Sequence, residues 1–309
     1  MKYDAYQMAT DRICALLEQG IKPWAKPWTT VMSCGWSGQT GRPYSFLNQM
    51  LLADPDKKYE SMEEWLDDIR GEWLTFNQIK GRGGMIRKGE HGRKVVFFKM
   101  LPKRNEDGEI DEDSNKTFPF LTVSTVFHVR QCDGIEQKYH TDEDKVYDFS
   151  ESQSAEEVAA DYMSRSGVTL INSKQNRAFY RPKTDEVHMP LPEQFQRSEE
   201  YYSTLFHELT HSTGHESRLN RVNGNVNFGD ESYSLEELVA EIGSSSIMAT
   251  LGLETDGSLV NSAAYIANWL QQLKNDKTMI VKAAARAEKA VKMILGIKEV
   301  NTDAQDSME

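Results

Sequence analysis

In the second half of the chain, apolar residues recur at the helical period in two stretches, each with imidazole or carboxylate groups on its opposite side. Tyr202, Leu205, Phe206 and Leu209 are spaced i, i+3, i+4, i+7 and predict a helix that opens on the acidic start Ser198-Glu199-Glu200 and stops before Gly214. Leu235, Leu238, Val239 and Ile242 form a second such stripe. Upstream of both, Ser154 with Glu157 reads as a capping box opening a helix through Met163, and residues 168–171, 177–180 and 185–190 read as short strands, with 185–189 the candidate edge that would hold an extended peptide. Two further amphipathic helices, residues 263–273 and 279–294, are expected to close this half.

The first half mixes periods. Tyr6, Ala9, Ile13, Leu16 and Leu17 predict a helix over residues 3–19, stopped by Gly20 and Pro23. Residues 48–53 and 61–70 are also helical, the latter opened by Ser61-x-x-Glu64, and Thr75-x-x-Gln78 starts a short helix that the glycines at 81–84 break. β-Branched and aromatic residues mark strands at 95–100 and 121–130, on either side of an acidic loop at 106–113. The expectation is an α+β chain: a mixed α+β domain over residues 1–150, a mostly helical domain with a small sheet over 151–300, and a disordered tail over 301–309.

A chain of 309 residues with ordinary apolar content can bury two cores. Cys14, Cys34 and Cys132 show no paired spacing, which argues for reduced thiols and against a disulfide framework or a zinc ribbon. The N-terminus lacks an apolar signal region and no segment approaches the roughly 20 apolar residues of a membrane span, so a cytoplasmic protein without a membrane partner is expected. The net charge of −12 disfavours general nucleic-acid binding by the whole molecule, yet the charge is uneven. Between Lys80 and Arg104, nine basic residues face a single acid, Glu90.

The sharpest chemistry lies in His207-Glu208-Leu209-Thr210-His211. Residues four apart share a helix face, so His207 and His211 can hold one metal ion from one rigid element, while Glu208 beside it can act as general acid and base. The histidines fall nearly opposite the apolar stripe and face a cleft. A zinc ion in this setting takes a third protein ligand and leaves its fourth position to water. Glu237 and Glu241 lie opposite the second stripe, and we assign Glu237 as the ligand and Glu241 as the carboxylate orienting a ligand histidine, with the reverse assignment open. The competing structural reading of Glu237 is a capping box with Ser234. His215 follows Gly214 directly, which breaks the longer three-histidine signature, and is expected at a helix C-terminus outside the ligand set.

In the first half, aromatic residues interleave with basic ones. Trp36, Tyr44 and Trp73 are candidate stacking platforms, and Arg82, Arg87, Lys88, Arg93 and Lys94 candidate phosphate contacts, the ingredients of single-stranded DNA binding without sequence choice. The bland alternative is that the aromatics fill a core and the basic loop is a solvated turn.

Taken together, "KPWAKPW" at 22–28, "GRPYSFLNQMLL" at 41–52, "WLTFNQIKGRGGMIRKGEHGRKVVFFK" at 73–99 and "VFHVRQCDGI" at 126–135 resemble the N-terminal domain of ArdC-type antirestriction proteins. "HELTHSTGH", "SRLNR" and "SLEELVAEIG" resemble the zincin-like metallopeptidase domain joined to it in that family. The resemblance covers nearly the whole chain. It implies a mobile-element protein that binds single-stranded DNA and carries a zinc peptidase acting on an unidentified protein, with His207, His211 and a glutamate of the 237–241 pair on zinc and Glu208 as acid/base. Two alternatives predict different chemistry: a DNA-coating protein whose zinc is structural or vestigial, and a peptidase toxin targeted by its DNA-binding half.

Overall fold

The structure is a computed structural model that describes residues 4–19, 23–24, 35–54, 57–59, 62–102, 117–138, 154–221, 231–253 and 263–297. The acidic loop at 106–113, the tail after residue 300, Trp28 and Cys34 lie outside the described residues. The chain is α+β and divides into two compact units, residues 1–146 with 256–285 and residues 147–255 with 286–309.

The first unit is built on a five-stranded sheet of order β2-β1-β3-β6-β5, where β1 is Gly35–Ser37, β2 Arg42–Pro43, β3 Gly71–Thr75, β5 Arg93–Pro102 and β6 Thr117–His128. Only the β1–β3 pair is parallel. A small β4–β7 pair, Met85–Ile86 with Cys132–Asp133, stands apart from it. Helices α1 (Ala5–Glu18), α2 (Phe46–Leu51), α3 (Met62–Ile69) and α4 (Phe76–Gly81) match the sequence expectations closely, and the capping box at Thr75 and Gln78 forms in both directions. Leu16, Leu52, Trp65, Ile69, Trp73, Val95 and Val126 form the core. The open side of β5 is closed at Val96 by the side chain of Asn48, which accepts from the Val96 N–H and donates to its carbonyl, both at 2.8 Å. Asn48 thus supplies at Val96 the hydrogen bonds that a sixth strand would make.

Helix α8 (Ala263–Asn275), expected to close the second domain, packs instead on α1 in the first unit. Thr10 donates to the Lys277 carbonyl at 2.8 Å, and Lys274 and Lys277 pair with Glu18 and Asp4. Periodicity showed the apolar face of this helix but not its partner.

His128, at the end of β6, is buried against the edge of the Trp73 ring. Its Nδ1 accepts the Arg130 N–H at 2.9 Å while Nε2 lies 2.7 Å from the Arg70 carbonyl, so the ring is neutral with its proton on Nε2. Gly71 permits this approach: it sits at φ 122, and a Cβ there would come within 2.6 Å of His128 Nε2.

In the second unit, α5 (Ala155–Ser166) opens on the Ser154 and Glu157 capping box. It leads into a three-stranded sheet of order β8-β10-β9, with β8 Thr169–Ser173, β9 Phe179–Arg181 and β10 Glu186–Pro190. Residues 185–189 were the expected edge strand. The structure corrects this: β10 is the middle strand, parallel to β8 and antiparallel to β9, which buries Val187 and Met189 and leaves β8 and β9 as the edges. Helix α6 (Ser198–Ser212) packs on β9, β10 and helix α7 (Glu231–Thr250). The last helix, α9, spans Met279–Ile294, and Arg165 of α5 donates to the carbonyls of Met293 and Ile294 at its end. Among the described residues, no helix is long and apolar enough to cross a membrane.

Burial depresses the His128 pKa to about 4, with the nearby Arg130 charge acting in the same direction, against an ordinary value of 6.5. A histidine depressed in the folded state stabilises the fold above its unfolded pKa, and that contribution is lost as pH falls from about 6.5 toward 4, to an extent on the order of 3 kcal/mol. Urea midpoints followed by tryptophan fluorescence should fall over this window, and His128→Gln should flatten most of the fall; an unchanged slope in the variant would refute the assignment.

Candidate metal centre

Helix α6 presents His207 and His211 one turn apart, with Leu205, Phe206 and Leu209 buried behind them as the stripe requires. Tyr202, the fourth expected member of that stripe, is only half-buried, and Tyr201 takes the buried place. Helix α7 crosses α6 at a close contact: a Cβ on Gly243 would lie 2.7 Å from the Thr210 methyl, so only glycine lets the helices approach this far. That approach brings Glu237 over the two imidazoles.

Three donor atoms converge there. His207 Nε2 and His211 Nε2 are 3.2 Å apart, and Glu237 offers Oε2 at 3.6 Å from the first and Oε1 at 3.5 Å from the second. An ion holding three ligands at about 2.1 Å in tetrahedral array separates them by about 3.4 Å; taking one atom from each residue, the three lie within 4.8 Å of one another, so a small inward shift of these side chains would close them on one divalent cation. Among the described residues, these three form the cluster with metal-ligand geometry. Glu241, the other carboxylate of the expected pair, is half-buried and outside it. Because α7 already begins at Glu231, Ser234 lies inside the helix and cannot cap it, which removes the capping-box reading of Glu237.

The carboxylate beside the other nitrogen of His211 is Glu236, at 3.7 Å from Nδ1. The sequence reading gave the orienting role to Glu241; the carboxylate at Nδ1 of His211 is Glu236, the residue adjacent to Glu237. Arg221 grips Glu236 through Nε and Nη2, at 3.2 and 2.8 Å, and donates to Thr213 Oγ1 and the Thr210 carbonyl at the end of α6. Arg218 does the equivalent on the other flank. It forks onto Asp185 before β10 and donates to the carbonyls of Ser212 and Ser166 and to the Tyr180 hydroxyl. Both arginines belong to the "SRLNR" segment, where nothing in local periodicity marked them.

The electrostatics favour a cation. Burial alone would lower the His211 pKa, but the Glu236 and Glu237 carboxylates, aided by Glu208, raise it to about 10, so the imidazole holds a proton that a metal would displace. Glu237 resists burial because the two histidines hold its carboxyl well below the usual range. Glu208 is buried beside this cluster, and His215 lies apart, its Nδ1 engaged by Ser217 at 2.8 Å.

The expected DNA-contacting residues are placed differently. Trp36, Tyr44 and Trp73 are core residues, at 8% exposure or less, and their covered rings cannot stack on bases; that expectation is corrected. Arg82 pairs with the buried Glu72, and Arg93 bridges Asp54 and Asp68 at 3.0 and 3.2 Å, so both serve the fold. Arg87 faces Glu90 and Asp133, and Lys94 donates to Thr125 at 2.6 Å. Lys80 and Lys88 are exposed and make no ion pair among the described residues. The exposed large apolar side chains are Phe76, Met85, Phe97 and Phe98.

A helix pair presenting two histidines and a glutamate beside a small sheet is the architecture of a zincin-like metallopeptidase domain, and residues 157–286 match that family. Residues 3–127 match the N-terminal domain of the anti-restriction factor ArdC. The crystal structure of the antirestriction ArdC protein from plasmid R388 in its metal-free form superposes with a TM-score of 0.65 at 36% identity, covering 94% of this chain and 97% of that one. Its Mn(II)-bound form gives 0.66 at 35%, with the same coverage. Among sequences, the DNA primase TraC of Escherichia coli is 31% identical over 331 residues, covering all of this chain but 29% of the primase. The uncharacterized protein y4eC of Sinorhizobium fredii (strain NBRC 101917 / NGR234) is 30% identical over 92% of this chain and 89% of its own length. The chain belongs to the ArdC family of antirestriction proteins, found on mobile elements such as plasmid R388.

Gly243→Ala is expected to push α7 from α6 and weaken both stability, by about 1–3 kcal/mol, and Zn(II) affinity. Thermal melts of the metal-free and metal-loaded variant check this; wild-type values for both would show that the contact has room to relax.

Proposed function

We propose that this protein is an antirestriction factor of a mobile element that holds single-stranded DNA with its first unit and hydrolyses a peptide bond at a zinc centre in its second. The observation that carries the catalytic half is the convergence of two imidazoles and one carboxylate, their ligand atoms within 4.8 Å of one another, beside a buried fourth side chain, Glu208. His207, His211 and Glu237 hold the ion in this reading. When bound, the ion polarises the scissile carbonyl and makes water nucleophilic at neutral pH by lowering its pKa to about 7. Glu208 takes the proton of the attacking water and delivers it to the leaving amine. Two neutral imidazoles with one carboxylate suit zinc. The relative from plasmid R388 has a Mn(II)-bound as well as a metal-free structure, which supports a metal-binding role for members of the family.

The DNA-binding half rests on Phe76 and Lys80, one helical turn apart on α4, with Lys88 on the glycine-rich turn that follows and Phe97 and Phe98 on β5. Exposed rings, together with exposed amines that make no ion pair among the described residues, suit stacking on bases and contact with phosphates.

Glu208→Gln is expected to abolish peptide hydrolysis while Zn(II) and DNA binding stay at wild-type levels. Cleavage surviving in this variant would defeat the catalytic assignment, and restriction protection in cells that survives loss of cleavage would favour DNA coating. For the first unit, the Lys80→Ala, Lys88→Ala double variant should lower the slope of log affinity against log salt by about 1.4 on a single strand, and Phe98→Ala should cost about 1–3 kcal/mol of binding. Fluorescence anisotropy with a labelled oligothymidine reads both, and an unchanged salt slope would move the phosphate contacts elsewhere.

A further inference from the structure

We infer that Arg221 and Glu236 are a positioning pair that fixes the imidazole of His211 with Nε2 presented to the metal and holds Glu236 itself out of the ligand set. The inference rests on the metal site proposed above. Glu236 and Glu237 are consecutive on α7 and bracket one ring: Glu237 lies 3.5 Å from Nε2 and Glu236 3.7 Å from Nδ1. A carboxylate at Nδ1 selects the tautomer protonated on that nitrogen and leaves Nε2 as the donor. Two adjacent glutamates on a mobile side of a site would compete for the same cation. Here they cannot, because both oxygens of Glu236 are engaged by Arg221 at 2.8 and 3.2 Å.

The arginine is itself immobile. Its remaining donors reach Thr213 Oγ1 at 2.9 Å and the Thr210 carbonyl at 3.1 Å, and its side chain is 6% exposed. For Glu236 to swing toward the ion, a buried guanidinium would lose its partner, leaving an uncompensated buried charge. The planar fork matters here as well as the charge, since a lysine could satisfy only one oxygen at a time. Because Thr210 and Thr213 flank His211 on α6, the pair ties the orientation of the ring to the helix that carries it.

The test uses the full chain stripped of metal and titrated with Zn(II) against a chromogenic chelator, and with Co(II) as a spectroscopic probe. Glu236→Gln, which keeps the shape and loses the charge, should weaken Zn(II) binding about 10- to 100-fold and shift the Co(II) visible bands. Arg221→Lys should weaken binding in the same direction and lower the Co(II) band intensity as the released carboxylate raises the coordination number; it carries the test should Glu236→Gln fail to fold. Wild-type affinity together with a wild-type Co(II) spectrum in a folded variant overturns the positioning role. His207→Ala serves as the reference, because bands that persist in it would mean that the metal site itself is misread.

Discussion

The second unit depends on how the C-terminal end of α6 is tied down. Two arginines three residues apart, Arg218 and Arg221, reach back to carbonyls of its last turns, where the negative end of the helix dipole favours cations. Each then grips a carboxylate from another element: Asp185 at the start of β10, and Glu236 on α7. Both side chains are only 6% exposed, so the charges are desolvated and hold their geometry only while every partner is in place. The turn that aims them needs Asn220 at φ 47, and the Asp185 carboxylate comes from a residue at φ 51, both left-handed conformations that Asn and Asp tolerate better than most residues.

From that anchoring the convergence of the candidate metal ligands follows. Arg218 holds the sheet against one flank of α6 and Arg221 holds α7 against the other, while the bare Cα of Gly243 sets how near α7 can come. The donor atoms of His207, His211 and Glu237 therefore meet on rigid helices, as a site with demanding ligand geometry needs. Three carboxylates, Glu208, Glu236 and Glu237, surround two imidazoles, and with only Glu236 paired to an arginine among the described residues, the excess negative charge raises the His211 pKa.

The first unit shows how a composition that points to nucleic acid can be used for folding. Trp36, Tyr44 and Trp73 read as an aromatic platform and are buried in the core. Arg82 and Arg93 read as phosphate contacts and are held by buried or half-buried acids. What stays on the surface is smaller and differently placed: Phe76 at 58% exposure, the Phe97 and Phe98 pair, and the lysines 80 and 88. The alternation rule fails at Phe97 and Phe98 because β5 is an edge strand, where consecutive residues on both faces can remain open.

Local sequence determined much of this protein. The capping boxes at Thr75 and Ser154, the stripe Leu205, Phe206, Leu209, and the i, i+4 spacing of His207 and His211 each involve residues within one or two helical turns, so period and propensity suffice to place them. Period also put Glu237 opposite the apolar face of α7, but Glu241 shares that face, and only the approach of α7 to α6 sets Glu237 against the two imidazoles. Partners separated by long stretches of chain were decided only by tertiary structure. Helix α8 shows an apolar face that any core could cover, and it is α1 that covers it. Residues 185–190 read as a strand, but whether a strand is an edge or a centre depends on the two that flank it. Glu236 and Arg221 differ from other charged residues only in what surrounds them: burial turns them into a fixed pair beside His211, and burial is a property of the assembled fold rather than of any segment.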